Sequence, residues 1–98
     1  WAIIDNYVTI KENVFINIGA MISHDTVIGS NVFIAPGVNI AGNVDVGENS
    51  FIGINSTIID GVKIGSNSLI AAGSVVIESV PDNTLVAGNP AIIKKFLD

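Results

Sequence analysis

The sequence predicts an all-β solenoid, a stack of short strands joined by tight corners, and three columns of residues predict it. The first column is aliphatic: Ile4, Ile10, Ile16, Ile22, Ile28, Ile34, Ile40, Val46, Ile52, Ile58, Ile64, Ile70 and Val76 recur at every sixth residue without a miss. Neither the period of a helix nor that of a lone strand puts thirteen aliphatics at this spacing, so the repeat itself is the architecture. Numbering each hexad from its aliphatic residue, position five is small or β-branched throughout, from Val8 and Val14 to Val62 and Val80. It lies two residues before the next aliphatic, so both point to one side of a short strand, and that side is the interior. Position four is Asn, Gly or Asp in every hexad but the first and last, which have Tyr7 and Ser79. Those three residue types adopt left-handed backbone at low cost, which makes position four a turn. Pro36-Gly37 fits the same reading, since a type II turn takes Pro for its fixed φ and then a residue with positive φ.

Taken in order, residues 1–21 form a first coil with Lys11, Glu12 and Asn13 at one corner and nothing that suggests chemistry. Residues 22–27, Ile-Ser-His-Asp-Thr-Val, are the one hexad with a histidine–carboxylate pair, His24-Asp25, at its two corner positions. From Ile28 to Val80 the repeat runs on without an insertion, and at Pro81 the pattern is expected to break. The predicted organisation is therefore a β-helix domain over residues 1–81 and a C-terminal exit segment and tail over 82–98, suited to covering the open sheet edge of the last coil.

Composition bounds the function. Ninety-eight residues are few for a buried core, but a solenoid builds a continuous one by stacking neighbouring repeats. Mean hydropathy is positive at +0.63, yet no apolar run approaches the length of a membrane span. The lack of cysteine excludes a disulfide scaffold, a thiolate metal site and a Cys nucleophile, and suits a reducing, cytoplasmic setting. Four basic residues against nine acidic ones cannot supply the positive stripe that a phosphate backbone requires, which argues against nucleic acid. The start at Trp1-Ala2-Ile3-Ile4 has neither an initiator Met nor a signal peptide and enters the repeat at once, so a fragment of a longer chain is expected.

The pattern of aliphatic, small, two variable, small and variable, matched from Ile4 to Val80, resembles the hexapeptide-repeat acyltransferases, and most closely the sialic acid O-acetyltransferases and UDP-amino-sugar N-acetyltransferases. The resemblance implies a single-stranded left-handed parallel β-helix: three corners per eighteen-residue coil, a triangular prism of about four coils, against the general preference for right-handed crossovers. It also implies a homotrimer. At the coil period, the outward position six aligns Phe15, Phe33, Phe51 and Leu69 on one face, an apolar ladder of the kind that marks an interface, the alternative being a stripe covered by the C-terminal tail.

His24 is the only histidine and occupies a corner, facing outward instead of joining the interior. In the resembled family a His followed by an acidic residue after Val/Ile-x is the catalytic pair, and Ile22-Ser23-His24-Asp25 matches it. Acyl transfer from a thioester to a hydroxyl or amine needs a base near neutrality, which histidine supplies. A neighbouring carboxylate can hold its tautomer, although Asp25 also fits as a turn residue at position four. Ser23, on a strand wall with no second histidine, implies no covalent intermediate, so direct attack on acetyl-CoA is expected. By resemblance, the acetyl-CoA contacts fall at Phe33, Gly42, Ile54 and Ala72; the family often has a second His at the first of these and Gly at the last. Gly42 and the Ala71-Ala72-Gly73 notch would let a pantetheine arm approach the backbone, or they serve turn geometry alone.

The implied activity is acetyl transfer from acetyl-CoA to a hydroxyl or amine of a sugar, sugar nucleotide or sialic acid. A gamma-class carbonic anhydrase on this fold would need three histidines at zinc, and this chain has one, so no metal is expected. A non-catalytic β-solenoid, a scaffold or oligomerisation module, is the alternative; an ice-binding face would show a regular outward threonine ladder, whereas Thr9, Thr26, Thr57 and Thr84 are irregular.

Overall fold

The computed structural model describes residues 1–97; Asp98, the last residue of the expected tail, lies outside the described residues. Position six of one hexad and position one of the next form a two-residue strand. In chain order these are β1 (Ile3–Ile4), β2 (Thr9–Ile10), β3 (Phe15–Ile16), β4 (Met21–Ile22), β5 (Val27–Ile28), β6 (Phe33–Ile34) and β7 (Asn39–Ile40). They continue with β8 (Asp45–Val46), β9 (Phe51–Ile52), β10 (Thr57–Ile58), β11 (Lys63–Ile64), β12 (Leu69–Ile70) and β13 (Val75–Val76). Every third strand stacks in parallel. β1, β4, β7, β10 and β13 make the first face, β2, β5, β8 and β11 the second, and β3, β6, β9 and β12 lie in the third. Registers such as Ile4↔Ile22 and Ile34↔Ile52 fix eighteen residues per coil, as the hexad pattern requires.

The corners obey the expected rule. Position four has positive φ in twelve consecutive hexads, from Tyr7 at 60° and Asn13 at 55° to Asn67 at 56° and Gly73 at 70°. Even Tyr7, the residue least suited to it, adopts the left-handed conformation. The interior is the aliphatic column: Ile22, Ile28, Ile34, Ile52, Ile58 and Ile70 are fully buried. Hydroxyls at position five are buried too, and each donates to a carbonyl at the neighbouring corner: Thr26 Oγ1 to Ala41 O at 3.0 Å, Ser50 Oγ to Gly65 O at 2.7 Å, Ser56 Oγ to Ala71 O at 3.0 Å. Among the described residues no buried side-chain polar atom lacks a partner, which is why serine substitutes for valine at this position without the cost of an orphaned hydroxyl.

The repeat ends earlier than the sequence pattern suggests. Val80 bridges Ile64, sixteen residues back, instead of stacking over Val62 as position five of a last full hexad. The reason lies at Ser79, which is absent from the positive-φ residues: without a left-handed residue the chain cuts the corner by two residues. The Ser79 hydroxyl instead accepts a hydrogen bond from the Lys63 amide at 3.1 Å. The shortened fifth turn then runs into β14 (Thr84–Gly88), which adds to the third face with Leu85 opposite Leu69 and Val86 opposite Ile70. A turn through Gly88 and a cis Asn89-Pro90 bond returns the chain as β15 (Ala91–Phe96), antiparallel to β14. The exit segment thus extends the apolar ladder by one rung, Leu85, and does not lie over it.

Phe33 and Phe51 stack with ring centroids 4.9 Å apart and an interplanar angle of 1°, and Phe15 follows at 6.2 Å, tilted by 36°. The second face differs: its outward column includes Asp45 and Lys63, 3.8 Å apart in an exposed ion pair. At the first coil the interior is open, with Ile4 and Ile10 47% and 37% exposed although they hold the same hexad position as the buried isoleucines above them. No helix among the described residues is long and apolar enough to cross a membrane.

Candidate active site

The first corner of each coil follows the first face, and in the second coil it is Ser23-His24-Asp25, leaving β4. Asp25 has a φ of 56° and His24 precedes it at the apex. The corner is tied to its neighbours by the ladder: the Asp25 amide donates to Asn6 O at 3.2 Å, and His24 O accepts from the Asn43 amide at 3.0 Å. With the backbone fixed on both sides, the two side chains meet. His24 Nδ1 lies 3.0 Å from Asp25 Oδ2. A carboxylate only accepts, so Nδ1 bears the proton, and in the neutral imidazole Nε2 keeps its lone pair. Asp25 therefore serves the turn and meets the imidazole at once; the two expectations for it are compatible.

The pair is half in water, with side-chain exposures of 54% and 52%. An interaction this wet is worth at most about 1 kcal/mol, so the carboxylate alone does not immobilise the ring. The residue stacked on it also limits where the ring can lie. One coil on, Gly42 lies directly beside His24, and a Cβ built there would stand 2.5 Å from Nε2 and 2.6 Å from Cε1. Gly42 is buried, and its φ is outside the left-handed range, since Asn43 at 57° makes that turn. Turn geometry accordingly does not account for Gly42, whereas it does for Gly73, whose φ is 70° and whose missing Cβ would meet nothing within 4 Å.

The four residues expected at acetyl-CoA divide between places. Gly42 is in the His24 corner. Ile54 and Ala72 stack at the third corner, joined by the Gly73 amide donating to Ile54 O at 2.8 Å, and both are exposed. Phe33 stands in the ladder of the third face, beyond that corner. The first face separates His24 and Gly42 from the other three, so a single chain brings together one of the four with the histidine.

That first face also holds a feature the sequence reading passed over. A shallow groove of about 360 Å³ runs beside the His24 corner, lined by Met21, Ser23, Asn39, Thr57, Ile59 and Asp60 among others. Its signal was available: Met21, Asn39 and Thr57 are position six read at the coil period on this face, the same operation that reveals the phenylalanine ladder on another.

The sequence profile of the family described as bacterial transferase hexapeptide (six repeats) matches residues 2–42 and 43–78. Among solved structures, the acetyltransferase domain of PglB from Neisseria gonorrhoeae, also solved in complex with acetyl coenzyme A, is 34% identical over 94% of this chain and 45% of its own, with a TM-score of 0.93. PerB from Caulobacter crescentus, solved in complex with CoA and GDP-perosamine, is 32% identical over 96% of this chain and 54% of its own, with a TM-score of 0.75. A galactoside acetyltransferase in complex with coenzyme A is 28% identical over 98% and 60%, with a TM-score of 0.92. The chain thus spans about half the length of the first two. No curated protein sequence matches it.

Proposed function

The chain belongs to the bacterial transferase hexapeptide family, a left-handed β-helix, and from that premise we propose that it is the catalytic prism of an acetyl-CoA-dependent acetyltransferase acting on a hydroxyl or amine of a sugar, sugar nucleotide or sialic acid. The observation that carries this reading is the 3.0 Å contact between His24 Nδ1 and Asp25 Oδ2, which leaves Nε2 as a free base at an exposed corner. Acetyl-CoA supplies an acetyl group on a good thiolate leaving group. His24 Nε2 takes the acceptor's proton as its oxygen or nitrogen attacks the thioester carbonyl, and returns a proton to the departing sulfur. Asp25 holds the imidazole in the tautomer this requires and faces the positive charge it acquires. The acetyl transferases similar in fold, one of them bound to a nucleotide-linked amino sugar, support a sugar-nucleotide acceptor.

The same reading takes the active unit to be a homotrimer. Exposed Phe15 and Phe51, with Phe33 stacked between them, form a regular apolar ladder on the surface, and burial against a second subunit would remove it from water. Assembly would also supply the wall that the half-exposed His24 lacks, and bring contacts such as Ile54 and Ala72 of a neighbouring subunit towards the groove by Met21 and Thr57. The test has two parts. Thiol release from acetyl-CoA is followed with a panel of UDP- and GDP-linked amino sugars, sialic acid and simple sugars; absence of release with every acceptor, by protein that binds acetyl-CoA in calorimetry, sinks the activity. Sedimentation at micromolar concentration should give a trimer, and a monomer there sinks the assembly.

A further inference from the structure

We propose that Gly42 is a positioning residue: its missing side chain is the seat in which the His24 imidazole rests, and it acts on the reaction through the base. The inference rests on the reading of His24 as that base. Three observations carry it. Of the thirteen residues at position three of their hexads, residue 42 alone is glycine, and it is the one stacked directly on the only histidine. Its backbone does not need glycine, because its φ lies outside the left-handed range and Asn43 makes the turn. What needs glycine is space, since a Cβ would come within 2.5 Å of Nε2 and 3.1 Å of Cδ2, closer than nonbonded carbon and nitrogen atoms approach.

The consequence follows from where the ring is held. Nδ1 is bound to Asp25, and the face of the ring at its Nε2–Cε1 bond lies against Gly42. A methyl group at residue 42 must displace the ring, because the backbone on both sides is tied into the coil ladder and has little freedom to move: the Asn43 amide donates to His24 O and the Gly61 amide to Gly42 O, at 3.0 and 3.1 Å. Displacement breaks the Nδ1 contact, frees the tautomer and moves Nε2 from its place. A role for Gly42 as an acetyl-CoA contact makes a different prediction, weaker cofactor binding with the imidazole unmoved.

His24 is the only histidine, so its ring nitrogens report without ambiguity in a ¹H–¹⁵N correlation spectrum. The parent protein should show the Nδ1-protonated tautomer. Gly42→Ala should shift the signals towards those of a free, tautomer-averaged imidazole, and Asp25→Asn should then change nothing further in that background. The kcat should fall about a hundredfold, the scale of a misplacement near 1 Å, with KM for acetyl-CoA unchanged. Thermal unfolding gives a second measurement: any loss of Tm that Gly42→Ala causes in the parent protein should vanish in a His24→Ala background, where the space is free. Unshifted imidazole signals with a raised KM would overturn the proposal, as would an equal loss of Tm in both backgrounds. Shifted signals with unaltered turnover would uphold the seat while counting against His24 as the base, so the two readings fail separately.

Discussion

Two corners one hexad apart, His24-Asp25 and Ser30-Asn31, are built alike and differ in what they can do. Their left-handed residues have φ of 56° and 60°, and each amide donates to the carbonyl one coil below, at 3.2 Å to Asn6 and 2.9 Å to Glu12. The backbone does not distinguish them. What differs is position three and the residue stacked on it: an imidazole under Gly42 in one case, a hydroxymethyl group under Glu48 in the other. The prism thus fixes its shape with positions one, four and five, and leaves position three free to carry chemistry in a frame already rigid.

The largest break in this likeness should come from removing the two apex side chains. His24→Ala is expected to lower the transfer rate by about 10²- to 10⁴-fold, the usual share of a general base, while Ser30→Ala leaves it unaltered. Neither should shift Tm appreciably, because both side chains are outside the core. A His24→Ala protein that retains its rate would remove the distinction between the corners.

Next in size is a change that both corners should feel equally. Ile28 lies between them and is fully buried, so Ile28→Ala should cost about 2–5 kcal/mol in an unfolding titration. Ile10 holds the same position one coil below, but it is 37% exposed at the open end, and its truncation should cost distinctly less. Equal costs would mean that the first coil is covered in solution.

Asn31→Ala should destabilise by about 1 kcal/mol, since alanine at a φ of 60° lacks asparagine's tolerance of that conformation, and Asn31→Gly should be nearly neutral. Rates should not change in either variant. A rate loss on Asn31→Ala would show that the second corner takes part in the chemistry.

Much of this was legible in the sequence because the repeat leaves little choice. A residue every six positions and a turn former at position four state the strands and corners directly, and all thirteen strands lie where the pattern puts them. The three-sided closure and its hand came from resemblance alone, since no single hexad encodes how many corners meet. The register shift at Val80 was not legible because Ser79 and Val80 satisfy the pattern loosely, and only the backbone angle at Ser79 reveals that the turn is skipped. The role of Gly42 was open because glycine has two uses, and a sequence gives no φ. The groove at Met21 and Thr57 was overlooked because its column, Met21, Asn39 and Thr57, is mixed in character and does not stand out as the phenylalanine ladder does. By contrast, His24 was singled out by resemblance, since Ile22-Ser23-His24-Asp25 matches the family's pattern whereas a lone corner histidine is by itself an ordinary solvated residue; the structure adds that its ring meets Asp25.

The smallest effect is the one that separates Asp25 from Asn31 most finely. Asparagine is what this prism uses at most left-handed corners, so Asp25→Asn keeps the φ of 56° at little cost and retains an oxygen that can accept from Nδ1. Only the charge is lost. For a pair half exposed to water, that charge is worth at most about 1 kcal/mol to the imidazolium, so the rate should fall about fivefold, far less than in His24→Ala. The reciprocal Asn31→Asp, which places a carboxylate beside Ser30, should alter nothing. A full rate in Asp25→Asn reduces Asp25 to what Asn31 is, a residue that makes a turn, and leaves His24 as a lone base. A loss as large as that of His24→Ala would mean that the carboxylate is shielded from water when the reaction occurs, as a second subunit closing over this corner would shield it.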